Sequence, residues 1–180
     1  MKNIAAPRAG RAGTEPWLVQ QGFTLIELMV TIAVMAILLM VAVPSFKEAT
    51  LGSKLGSYAN SLVAGAHLAR SEAIKRSAPV TLCVSSNGTS CGTGGWEQGW
   101  IVRATDGTVI QSQQALPAGL KVTETGGLAS LVFNPSGVGA TSATFTVCRA
   151  TPTVGGQERV VSVSLTGRPS VTKTTAGSCS

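Results

Sequence analysis

From Phe23 to Val43 every position is apolar except Thr24, Glu27 and Thr31, a run of 21 residues that Pro44 interrupts. An apolar helix needs roughly 20 residues to cross a bilayer core, so this run is predicted to span a membrane. Its one charge, Glu27, is the anomaly. A carboxylate near the middle of lipid costs at least about 2.5 kcal/mol, and such a group is expected to have a functional partner. After Pro44 the pattern becomes amphipathic. Between Ser45 and Ser77, Leu51, Leu55, Leu62, Ala66, Ala69 and Ala73 share one helical stripe, with Lys47, Lys54, Arg70 and Lys75 on other faces. Gly52, Gly56 and Gly65 each cost about 1 kcal/mol relative to alanine, so this half-helix needs a packed domain to hold it. Pro44 is expected to kink the helix without ending it, and Pro79 to close it.

From Pro79 the period shortens to alternating β runs separated by Gly, Asn, Asp and Pro turns. Strands are expected at Val80–Val84, Trp100–Ala104, Val109–Gln113, Lys121–Thr125, Ser130–Phe133, Thr144–Arg149 and Val160–Leu165, with a weaker one near Val171. Asp106-Gly107 reads as a tight hairpin turn, and Ser85 to Gly95 as a loop. The expected class is therefore α+β: a long N-terminal helix, apolar then amphipathic, packed on antiparallel sheets.

Composition and charge refine this picture. The residues before Phe23 show no apolar periodicity and read as a leader outside the fold. Their basic residues Lys2, Arg8 and Arg11 place the N-terminus in the cytoplasm by the positive-inside rule, and the domain after Pro44 in the periplasm. Setting aside those three and Glu15 from the 14 basic and 8 acidic side chains leaves 11 and 7, a net charge of +4. That is a mild attraction for acidic partners. Cys83, Cys91, Cys148 and Cys179 are even in number and face an oxidising compartment, so disulfides are expected. Four cysteines allow three pairings. Cys83 with Cys91, closing a small loop, and Cys148 with Cys179, stapling the tail to a strand, is the favoured one.

Catalytic chemistry has little to build on. The lone imidazole, His67, lies on the helix with no ligand-spaced partner, no Gly-x-Ser-x-Gly elbow occurs, and Gly92-Thr93-Gly94-Gly95 precedes no helix that would make it a phosphate loop. No enzyme, metal or cofactor is expected.

Gly22-Phe23-Thr24-Leu25-Ile26-Glu27, followed by the apolar run and Pro44, resembles the class III signal sequence of type IV pilins and type II secretion pseudopilins. The resemblance implies cleavage between Gly22 and Phe23 by prepilin peptidase and N-methylation of Phe23. It also implies that Glu27 pairs with the terminal amine of a neighbouring subunit as helices stack, and a buried carboxylate is tolerable with such a partner. Leu68 to Arg76, Pro79 to Cys83, Trp96 with Gly99-Trp100, and Ser164 to Arg168 are similar to segments of the FimT, FimU and GspH group of minor pilins and pseudopilins. These segments imply a minor subunit of type IV pilus assembly that contacts other minor and major pilins. The runner-up is a minor pseudopilin of a type II secretion system.

A third implication is binding of double-stranded DNA. FimT-like pilins carry a Gly-Arg-x-Arg pattern, and Gly167-Arg168-Pro169-Ser170 holds its first arginine, with Ser170 in place of the second. Lys173 is a candidate substitute, with Arg149 and Arg159 as further members of a basic surface. The domain layout that follows is a cleaved leader over 1–22, a transmembrane half-helix over 23–43, an amphipathic half over 44–78 and a β-rich periplasmic domain over 79–180. The protein is expected as a single-pass inner-membrane precursor that passes into a pilus or pseudopilus.

Overall fold

The computed structural model describes residues 22–136, 142–151, 154–175, 177 and 179. The leader expected over 1–22 lies outside these residues except for Gly22. Helix α1 spans Leu25–Arg76 and continues through Pro44. The chain divides after Val43 into two compact units, described separately below.

In the first unit, Phe23 to Val43 is exposed at every position. Among the described residues none covers that stretch.

The second unit combines the rest of α1 with β1 (Val80–Val84), β2 (Trp100–Ala104), β3 (Val109–Gln113), β4 (Leu120–Glu124), β5 (Ser130–Phe133), β6 (Ala143–Arg149), β7 (Glu158–Val163) and β8 (Pro169–Thr174). A short 3₁₀ turn, Trp96–Gln98, precedes β2. The strands form two antiparallel sheets, ordered β3-β2-β1-β5 and β4-β6-β7-β8. The predicted helix stripe is the buried one: Leu51, Leu55, Leu62, Ala66, Ala69 and Ala73 all lie in the core, joined by Ala59. They meet Leu82, Trp100, Val102 and Phe133 of the first sheet and Phe145, Val147, Val161 and Val163 of the second within one apolar cluster. Each fully buried leucine contributes about 1.5–3 kcal/mol, which outweighs the cost of the helix glycines.

Two of those glycines have a local reason. A Cβ on Gly52 would stand 2.6 Å from Gln157 Oε1, and one on Gly65 would touch Trp100 and Leu82. The helix ends where Ser77 turns left-handed (φ 50°), with the Ala78 N–H donating to the Ala73 carbonyl at 3.3 Å and Pro79 following. His67 is exposed on this helix.

Boundaries differ from expectation in the second sheet. The strand expected at Lys121–Thr125 is Leu120–Glu124, and that expected at Thr144–Arg149 begins at Ala143. The strand expected at Val160–Leu165 is Glu158–Val163. Glu158 is fully buried and accepts a hydrogen bond from Thr174 Oγ1 (3.1 Å), which adds it to the ladder, whereas Ser164 to Gly167 forms a turn. The weak strand near Val171 is a full partner of β7, paired from Pro169 to Thr174. Asp106-Gly107 does form the β2–β3 turn, with Gly107 at φ 91°. The Thr108 N–H donates to Asp106 Oδ1 (2.8 Å), and this bond holds the Asp106 carboxyl below its ordinary range.

Disulfides join Cys83 to Cys91 and Cys148 to Cys179, with Cα separations of 5.5 and 5.8 Å. The first closes the Ser85–Gly95 loop onto β1. The second fastens Cys179 to β6.

Candidate assembly and processing site

The processing motif sits at the start of α1. Gly22 and Phe23 precede the helix, and Phe23 is 84% exposed. Thr24 is the residue that makes the helix begin where it does. Its hydroxyl Oγ1 accepts the Glu27 N–H (3.2 Å) and its carbonyl accepts the Leu28 N–H (3.1 Å). Thr24-Leu25-Ile26-Glu27 is thus an N-cap of the Ser/Thr-x-x-Glu kind, and Glu27 stands in the first turn, where a carboxylate complements the helix dipole. The sequence reading assigned Glu27 a role and passed over Thr24. The signal was present as the capping-box spacing.

The geometry gives this end two properties: a scissile Gly22-Phe23 peptide outside the helix, and a carboxylate one turn into it. The helix carrying them is long and apolar enough to cross a membrane, with a mean hydropathy of 2.7 over its most apolar window. Pro44 lies inside the helix and begins the second unit.

The residues considered for DNA fall at different places on the second sheet. Arg168 is exposed at the end of the β7–β8 turn, which Gly167 closes at φ 70° with its N–H on the Ser164 carbonyl (2.8 Å). That glycine is required by the turn itself. Ser170 lies opposite Ser162 on β8, whereas Lys173 lies opposite Arg159 at the far end. Lys173 lies five positions past Arg168, roughly 16 Å along extended chain, and so farther from it than a residue at 170 would be. Arg149 and Arg159 turn to the helix instead. Arg159 Nη2 donates to the Gly52 carbonyl (3.1 Å), and Arg149 Nη2 lies 3.7 Å from Glu48 Oε1.

The family-like segments of the domain also have packing roles. Glu72 receives Arg76 Nε (2.7 Å) and Lys75 Nζ (3.2 Å), which hold its carboxyl below the ordinary carboxylate range, the Arg76 hydrogen bond first. Trp96 donates Nε1–H to the Leu128 carbonyl (2.8 Å) and meets Phe145 edge to face, with ring centroids 4.8 Å apart. Trp100 is 2% exposed within the core. Among the described residues, no three His, Cys, Asp or Glu side chains are placed to hold a metal ion.

Comparison with known proteins bears on both units. Residues 58–167 match the family model described as type II transport protein GspH, and residues 17–43 match the prokaryotic N-terminal methylation motif. No curated protein sequence matches significantly. Among solved structures, the chain is similar to the type IV minor pilin FimU of Pseudomonas aeruginosa, at 24% identity over 67% of this chain and 89% of that one, with a TM-score of 0.54. The minor pseudopilin EpsH from the type 2 secretion system of Vibrio cholerae also aligns, at 15% identity over 66% of this chain and 96% of that one, with a TM-score of 0.49.

Proposed function

The chain belongs to the GspH family of minor pilins and pseudopilins, and on that basis we propose that it is a FimU-like minor pilin serving type IV pilus assembly. The observation that carries the reading is the fully exposed apolar half-helix headed by Gly22-Phe23 and Glu27. It needs lipid first and other subunits' helices afterwards, and a filament supplies the second. Prepilin peptidase cuts between Gly22 and Phe23, Phe23 is N-methylated, and Glu27 receives the terminal amine of a neighbour. Until then the precursor spans the inner membrane once, its N-terminus cytoplasmic and its domain periplasmic. The domain segments are shared by minor pilins and pseudopilins, so the pilus reading is supported over secretion by the likeness to the type IV minor pilin FimU alone.

Crosslinking in the native cell tests the assignment. The expected partners are pilins, and deletion is expected to reduce piliation. Crosslinks to pseudopilins, with secretion lost and pili intact, would assign the chain to a type II secretion machine. Glu27→Ala is expected to be inserted and processed normally yet to enter filaments poorly; ordinary incorporation would remove the pairing with a neighbour's amine.

A further inference from the structure

The domain carries a groove of about 430 Å³ between the first turns of its helical part and the chain leading into β4. Phe46, Lys47, Leu51 and Lys54 line one side, Ala118 and Arg149 the other. Residues 47, 51 and 54 are spaced to share one helix face. Leu51 is buried and supplies an apolar floor, while Phe46 is 74% exposed at the mouth. Lys47 and Lys54 are exposed, and the nearby acid, Glu48, is engaged by Arg149 at 3.7 Å. The rim is therefore cationic over an apolar base.

Place along the chain indicates what such a groove would hold. Phe46 and Lys47 follow Val43, the last residue of the apolar run, by three and four positions. Aromatic and basic side chains immediately beyond a spanning segment lie at headgroup level, where each cation near an anionic surface is attracted. We propose that this groove seats an anionic phospholipid drawn partly out of its leaflet, its phosphate held by Lys47 with Lys54 reaching toward it from two helical turns further on, and the top of an acyl chain against Phe46 and the Leu51 floor. The proposal rests on the reading that Phe23 to Val43 spans the membrane. It makes the groove a lipid-held face of the subunit before assembly.

Native mass spectrometry of the full chain, released from nanodiscs of mixed phosphatidylglycerol and phosphatidylcholine, tests it. The expected result is preferential retention of phosphatidylglycerol, reduced about fivefold for each lysine removed by Lys47→Gln and Lys54→Gln. Ala118→Phe keeps both lysines and fills the groove from an exposed position, and it is expected to reduce the preference as well. Selectivity unchanged by Ala118→Phe would overturn the groove in favour of ordinary juxtamembrane attraction. Equal retention of both lipids, equal displacement by inorganic phosphate, or a lipid-free dimer would also overturn it. A chain that fails to enter even phosphatidylcholine nanodiscs would refute the spanning segment itself.

Discussion

Two stretches of one helix are rich in apolar side chains and have opposite fates. Between Leu51 and Ala73 the apolar residues recur every third or fourth position and are buried against both sheets. Between Phe23 and Val43 they are nearly continuous, and every one is exposed. A stripe can be covered by one surface, so the fold completes it internally. A cylinder that is apolar all round must be covered from all sides, and one domain cannot do that. The period of the pattern, more than its hydrophobicity, thus distinguishes what is finished on folding from what awaits a membrane or a filament.

The contrast can be broken most sharply from the core. Phe145→Ala removes the fully buried ring against which Trp96 packs and is expected to cost about 3–5 kcal/mol in denaturant unfolding of the domain, without altering membrane insertion. A loss below about 1 kcal/mol would show that the core of the domain does not depend on this ring. Replacing Cys148 and Cys179 together by serine opens a loop of sequence separation 31 and is expected to cost about 3–4 kcal/mol; the same change at Cys83 and Cys91, separation 8, about 2–3 kcal/mol. An inverted order would mean that the tail is held by packing and not by its staple.

Smaller effects sharpen the comparison. Thr24→Ala removes the cap of the exposed half and is expected to weaken its first turn by about 1 kcal/mol, seen as faster amide exchange at Glu27 with domain unfolding unchanged. Coupled loss in the domain would show that the cap acts beyond the first turn. The smallest effect belongs to Glu72. Its folded carboxyl titrates below its ordinary value of 4.5, so its ion pairs with Arg76 and Lys75 stabilise the domain above that value. The contribution fades as pH falls through the lowered value. A pH series on the wild type and Glu72→Gln is expected to show a slight acid-side difference that high salt removes.

Much of this architecture was legible because it is local. The helix stripe, the strand cores and the Asp106-Gly107 turn follow from spacing along the chain, whereas the observed cysteine pairing is the favoured one of the three that four cysteines allow. Glu158 fell outside the strand expected from Val160 because a glutamate does not look like a buried strand residue until Thr174, 16 residues away, is seen to bond it. The positions of Arg149 and Arg159 could not be read from sequence for the same reason, since their acceptors lie on the helix, for Arg159 at a separation of 107 residues. Lys173 is near Arg168 in sequence, yet an extended strand carries it away. Thr24 was readable and was eclipsed by the more conspicuous Glu27.

Those arginine contacts also tie the helix to the second sheet. Arg159 on β7 grips the Gly52 carbonyl, Gln157 just before β7 donates to the Glu48 carbonyl at 3.3 Å, and Arg149 on β6 reaches the Glu48 carboxylate. All three grip the opening turns of the domain's share of the helix, and they spring from β6, β7 and the residue before β7, the strands at the centre of their sheet. Besides the buried stripe, the helix is therefore tied by polar contacts to two interior strands and the residue that leads into one of them, and each of those strands is hydrogen-bonded on both sides.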